Sequence, residues 1–216
     1  MDLIQPKDGP RTEYHKNGQK LTEENYKDGK LNGKWTWWYE NGQISNEGNY
    51  KDGKRDGKQT DYYKNGQIRE ERNLKDGNSE GKSTNWYANG QIEIEGNCIN
   101  NRPIGTLNSF YENGQKHSEM YYKDGKRNGK WTWWHEYGHI MQERNYKDGK
   151  LNGRTINSWH ENGQIREERN FKNNRIHTNW TWWREDGTKH SEMYYKDGMK
   201  RLKWTWWYEN GQIEAE

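Results

Sequence analysis

The sequence predicts an all-β protein, an elongated single-sheet antiparallel meander of about nine β-hairpin repeats of 24 residues. Three observations predict it. A marker glycine recurs at Gly18, Gly42, Gly66, Gly90, Gly114, Gly138, Gly163, Gly187 and Gly211, in steps of 24 residues except for one of 25 before Gly163. Each marker closes a stretch rich in aromatic and β-branched residues, seen most fully as Lys-Trp-Thr-Trp-Trp-Tyr-Glu-Asn-Gly-Gln-Ile around Gly42. Every unit also carries two turn signals and no helical period. In an array of this kind each unit buries its apolar surface only against its neighbours, so binding along its length is expected rather than chemistry in one pocket.

Residues 1–11 read as a lead-in and 12–216 as the array. Within a unit, Asn-Gly is expected to supply both positive-φ positions of a type I′ turn. The return strand then runs from Gln43 to about Tyr50, and Lys-Asp-Gly-Lys makes a second tight turn. A third glycine (Gly33, Gly57, Gly81, Gly105, Gly129, Gly153) falls just inside the next strand, where a bulge is expected. A two-residue turn at Asn41-Gly42 sets Tyr39 opposite Ile44, Trp38 opposite Ser45, Trp37 opposite Asn46 and Thr36 opposite Glu47. Alternation then puts Trp35, Trp37, Tyr39, Ile44 and Tyr50 on one face, and Thr36, Trp38, Gln43, Glu47 and Asn49 on the other. With strands about 4.8 Å apart, nine units make a ribbon roughly 80 Å long.

Only 27% of residues are hydrophobic and 32% are charged, a poor composition for a thick core. Disorder does not fit either, because 14 Trp and 15 Tyr recur in register and must supply most of the buried area. A formal charge of +3 gives no case for nucleic-acid binding. Cys98 is alone and occupies the position of Tyr26, Tyr50 and Tyr122, which reads as a small packing residue rather than a reactive thiol. No apolar run approaches the roughly 20 residues of a bilayer span. The start lacks a basic segment followed by an apolar stretch, so the expected location is the cytoplasm, or the envelope or exterior if a leader has been removed.

Chemistry-bearing patterns are weak. Glu recurs at one position in every unit: Glu23, Glu47, Glu71, Glu95, Glu119, Glu143, Glu168, Glu192 and Glu216. Neighbours two strands apart lie roughly 10 Å from each other, too far to share a glycosidic bond or one metal ion, so each is expected to pair with a Lys or Arg. His135, His139 and His160 form the one local histidine cluster and lack a nearby Cys, so no metal is assigned to them. No phosphate-cradling loop or nucleophile elbow is present, and no catalytic residue or cofactor is expected.

The motif Tyr39-Glu40-Asn41-Gly42-Gln43-Ile44, with Glu47-Gly48-Asn49-Tyr50-Lys51-Asp52-Gly53-Lys54 after it and Leu31-Asn32-Gly33-Lys34-Trp35 before it, resembles the MORN repeat, and more closely its bacterial variant. The resemblance covers residues 12–216. Proteins built from this variant are commonly named as antitoxins of the YwqK type, which implies a protein toxin as partner, and other relatives act as membrane-linked or protein-binding scaffolds. The chain departs from the pattern where Asn101, Asn174, Thr178 and Leu202 replace glycines, and in its abundance of Trp. The resemblance leaves the turns of those units open.

A binding surface is expected where Trp varies. The positions of Trp35 and Trp37 become Gln59 and Asp61, Ser83 and Asn85, Leu107 and Ser109, Trp131 and Trp133, Ile156 and Ser158, Trp180 and Trp182, then Trp204 and Trp206. A position that accepts Gln or Asp is not obligatory core, and paired Trp can make a contact surface. The same Trp can instead thicken the local core, and both readings stand. The expected partner is a protein, or a second copy of this chain at the C-terminal edge beside Trp204 and Trp206. The Asp-Gly edge is basic, with Lys123, Lys126, Arg127 and Lys130 as a candidate surface for anionic lipid. A lipid- or envelope-associated scaffold is the alternative function, and a glycan binder using the Trp comes third.

Overall fold

The computed structural model describes residues 8–196 and 199–216, with the side chains of residues 200–202 outside the description; the lead-in before Asp8 and the side chain of Leu202 therefore fall outside it. The described residues form 22 strands and no helix. They belong to two compact units, residues 1–104 with 112–114, and residues 105–111 with 115–216. Within each unit, strands pair antiparallel in chain order, as Gly33–Trp38 does with Ile44–Lys51 in the first and Gly129–Trp134 with Ile140–Lys147 in the second. The first strand, Gly9–Tyr14, already pairs with Lys20–Lys27.

The two turns of a repeat have different chemistry, and the type I′ turn lies at Asp-Gly rather than Asn-Gly. Asp52 and Gly53 sit at φ of 51° and 82° between the paired Lys51 and Lys54. At the other end, Gly42 alone is left-handed, at 82°, and Asn41 is not. Tyr39 closes that loop twice, accepting from Gly42 N–H at 2.9 Å and donating its N–H to Gln43 at 2.8 Å. This is a three-residue hairpin loop, a type I turn ending in a glycine bulge. It shifts the register near the tip. Trp38 faces Ile44, not Ser45, so Ile44 shares the face of Trp38, while the expected pairs Trp37 with Asn46 and Thr36 with Glu47 hold.

The expected bulge glycine is present at Gly33, where φ is 91° and Asn32 N–H bonds Asn25 at 2.8 Å. Where Asn replaces glycine the Asp-Gly type of turn survives. Asn100 and Asn101 have φ of 49° and 62°, and Asn173 and Asn174 have 50° and 68°, because Asn tolerates left-handed backbone. Thr178 is different: it lies inside the unbroken strand Arg175–Trp183. The single extra residue of the array is absorbed at Asn157. Ile156 consequently pairs with Glu143 and Glu168 in the Thr36 position, and Thr155, opposite Arg169, takes the Trp35 position that simple counting assigns to Ile156.

Within each unit the sheet is held from both faces. One face buries Trp35 and Leu74 in the first unit, and Trp131, Tyr146 and Met193 in the second. The other buries a row of threonines, Thr36, Thr60, Thr84, Thr132, Thr181 and Thr205, opposite the repeated glutamates. Trp35 lies against the backbone of Gly48, where an added Cβ would meet its Nε1 at 3.0 Å and two ring carbons at 3.3 Å. Gly48→Ala is therefore expected to cost about 1–3 kcal/mol by overpacking, read from the urea midpoint. A change under about 0.5 kcal/mol would mean that the indole is not seated there.

Successive hairpins are also tied at their tips by two side-chain ladders. In the first, His15 reaches the carbonyl of Trp38 at 3.0 Å, Tyr39 that of Tyr62 at 2.7 Å, Tyr63 that of Trp86 at 2.7 Å, Tyr111 that of Trp134 at 2.7 Å and His160 that of Trp183 at 2.8 Å. In the second, the loop asparagines Asn17, Asn41, Asn65, Asn89 and Asn162 donate to the backbone carbonyls of Glu40, Lys64, Ala88, Glu112 and Glu185. Each partner lies 23 residues ahead. The rungs satisfy edge carbonyls that an isolated hairpin would leave to water.

Candidate functional site

The tryptophans fall into two classes. Trp35 and Trp131, at 2% and 3% exposure, are core residues with no surface to offer a partner. Trp131 is enclosed by Tyr122, Tyr146 and Trp133 at 5.0–5.8 Å and by the Arg127 guanidinium at 4.9 Å, and its Nε1 donates to Tyr121 at 2.9 Å. Trp37 is 41% exposed, meets Trp35 edge-on and donates from Nε1 to Glu24 at 3.2 Å. Trp133 is half-buried under Arg144.

Trp180, Trp182, Trp204 and Trp206 are arranged differently. They are half-buried and stack in one row, with successive centroids at 4.6, 6.4 and 4.5 Å and successive planes inclined by 23–27°. Register explains the row. The strand Lys189–Lys196 lies between the two Trp-bearing strands, so Trp180 and Trp204 flank Met193, and Trp182 and Trp206 flank Ser191. Met193 and Ser191 are buried beneath the indoles, at 6% and 4% exposure. At one end the Arg169 guanidinium lies 3.8 Å over Trp180, held by Glu167 at 2.6 Å. The neighbours of Trp37 in the next hairpin are Asp61 and Gln59, so no such row extends there; those two bond each other at 3.2 Å, buried, with Arg55 and Arg69 attached.

The basic candidates separate in the same way. Lys123, Lys126, Arg127 and Lys130 are all exposed, but Arg127 packs on Trp131 and Tyr146, and Lys130 pairs with Glu143. That leaves Lys123 and Lys126 as the cations not drawn into the sheet's own packing.

The repeated glutamates are structural pairs, as their spacing suggests. Each of the nine meets a cation: Lys20, Lys34, Lys58, Lys82, Lys116, Lys130, Arg154, Lys189 and Lys203 in order. Glu47 is held below its usual range by the Lys34 hydrogen bond, against burial, with help from the Tyr62 hydroxyl at 2.8 Å. Tyr62 is pushed from 10.0 up to about 12, first by burial and then by that bond. The signs are opposite. The Glu47 contribution is present above pH 4.5 and lost as pH falls through its depressed value; the Tyr62 contribution is present below pH 10.0 and lost as pH rises through about 12. In an alkaline phenolate titration Tyr62 is expected among the last tyrosines to ionise, with Tyr62→Phe removing that step; loss of a step near pH 10 instead would contradict the pairing.

The clustered histidines His135, His139 and His160 sit in the tips. His160 donates from Nε2 to a backbone carbonyl, and the Tyr137 ring stacks on His135 at 5.1 Å and meets His139 at 5.5 Å. Among the described residues no group of three His, Cys, Asp or Glu side chains is placed to hold a metal ion. Burial pushes the Cys98 thiol up, away from the reactive thiolate. No helix among the described residues is long and apolar enough to cross a membrane.

The spacing of three glycines, the paired Glu and the tip donors repeats along both units, and the same segments carry a family signature. Residues 7–28, 31–52, 55–76, 79–100, 103–124, 127–148, 157–173 and 202–216 match the MORN repeat variant. The chain belongs to the MORN repeat variant family. No curated protein matches it. As a MORN repeat protein it is a member of a repeat-scaffold family. The match is shortened to 157–173 where Asn157 is inserted, and is absent over 174–201, which includes Thr178.

Missing from the sequence reading were the ladder donors and the buried threonines. A signal for the ladder exists: the Tyr39 position holds Tyr, His or Arg in every unit, all side chains that donate from a distal atom.

Proposed function

We propose that this MORN repeat chain is a non-catalytic scaffold that holds a protein partner on the tryptophan row of its last two repeats. The observation that carries the reading is the continuous stack of Trp180, Trp182, Trp204 and Trp206, half-buried over Met193 and Ser191. Large amphipathic rings held rigid before binding lose little conformational freedom on contact, and Trp is enriched among residues that dominate interface energies. Core packing alone does not require such a row, because other units fill the same positions with Gln59 and Asp61 or Ser83 and Asn85.

The finer reading, supported by the resemblance to YwqK-type antitoxins, is that the partner is a protein toxin neutralised in the cytoplasm. The test is capture from the source cells with the parent protein and with Trp204→Ser/Trp206→Asn side by side, followed by co-expression of the captured protein with each. A protein held by the parent, lost by the variant, and toxic unless the parent is present supports both readings. Equal capture by the two forms removes the tryptophan row from the account, and capture of a harmless protein removes only the toxin. The lipid reading has weaker support, since Arg127 and Lys130 are engaged within the sheet.

A further inference from the structure

Both tip ladders stop at one junction within the second unit. Where the Tyr39 type of residue should reach the carbonyl of Trp159, His135 stacks on Tyr137 instead, with planes 4° apart. Where a loop Asn should donate to Glu161, the chain carries Tyr137. Neither carbonyl receives a side-chain donor among the described residues. Three departures from the repeat coincide here: Tyr137 for Asn, His139 for Gln, and the inserted Asn157. Together they leave a cleft of about 660 Å³ between two hairpin tips, a volume within the range of ligand sites. Its walls include His135, Tyr137 and His139 on one side and Trp159, His160 and Glu161 on the other.

We propose that this cleft takes an arginine side chain of a partner protein. The two bare carbonyls call for a ligand with several N–H donors, the aromatic and imidazole walls call for a flat one, and the exposed Glu161 carboxylate favours a cation. A guanidinium meets all three requirements: it is planar, permanently charged, carries five donors and stacks on rings. The chain itself supplies the precedent. Two repeats on, Arg184 occupies the position of His135, and its Nη2 donates to the carbonyl of Trp207 while Nη1 donates to that of Lys189 at 2.7 Å. Thus a guanidinium already makes, in one tip, the rung that is missing in the other. A lysine ammonium is compact and cannot stack while bridging two carbonyls, so it is expected to bind worse. The site is independent of the tryptophan row.

The experiment titrates the full chain with acetyl-Gly-Arg-Gly-amide and with its lysine counterpart, following the ring C–H resonances of the histidines by NMR. Saturable shifts of His135, His139 and His160 are expected with the arginine peptide, at least fivefold weaker with the lysine peptide and with Glu161→Gln. A second variant rebuilds the ladder by combining His135→Tyr and Tyr137→Asn with deletion of Asn157. It should lose the arginine response at His139 and His160 while its thermal midpoint is unchanged or raised. Absence of a saturable shift, equal response to lysine, or full binding by Glu161→Gln overturns the proposal. Trp204→Ser/Trp206→Asn should bind the peptide as the parent does, which separates failure here from failure of the tryptophan reading.

Discussion

Trp131→Ala is expected to destabilise the second unit by about 4 kcal/mol, the middle of the range for removing a large buried aromatic. Trp131 is 3% exposed and is the hub that Tyr122, Tyr146, Trp133 and Arg127 share. Truncation leaves a cavity in a single-layer sheet that has no second sheet to collapse onto it. It also removes the Nε1 donor to Tyr121 and the ring on which Arg127 rests. Urea unfolding followed by circular dichroism measures the loss, and Trp133→Ala, at a half-buried position, should cost clearly less. Equal costs for the two would mean that Trp131 is no better enclosed than Trp133.

Replacing Trp204 with Ser and Trp206 with Asn should weaken partner binding by about 2 kcal/mol or more, roughly a 30-fold loss of affinity. Ser and Asn are chosen because Ser83 and Asn85 occupy these positions in another repeat, where the strand Asn78–Trp86 pairs normally. The variant also uncovers Met193 and Ser191, so its stability should fall, and affinity must be compared well below the unfolding midpoint. Trp37, which is exposed but outside the stacked row, gives the contrast: Trp37→Asn should leave affinity unchanged. If Trp37→Asn proves as harmful, exposure of single indoles, not the stacked row, carries the contact.

Much of the fold was legible because it is periodic. The glycine spacing gave two turns per unit, the alternation placed Trp35 and Trp37 on one face, and the regular Glu required a cation at regular distance, which Lys34 and its equivalents supply. Turn type was misjudged because Asn-Gly and Asp-Gly look alike as dipeptides. What separates them is loop length, three residues between Tyr39 and Gln43 against two between Lys51 and Lys54, and the longer loop also carries the bond from Asn41 to Lys64 in the next hairpin. That bond connects residues 23 apart and has no local signature. The same holds for Ile156, whose position depends on where the extra residue is expelled, a choice made by pairing with Glu143 and Glu168 rather than by neighbours in sequence. Equivalent Trp were indistinguishable by type, yet Trp131 is enclosed by rings whereas Trp204 lies in the row beside Met193. Cross-strand neighbours decide that difference.

The most direct measurement is hydroxyl-radical footprinting of the parent protein, free and in complex with the protein it captures. Oxidation should be low at Trp35 and Trp131 in both states, since they are enclosed. It should be appreciable at Trp180, Trp182, Trp204 and Trp206 in the free chain and suppressed together in the complex. Protection confined to other residues, with the four indoles oxidised equally in both states, would contradict the account.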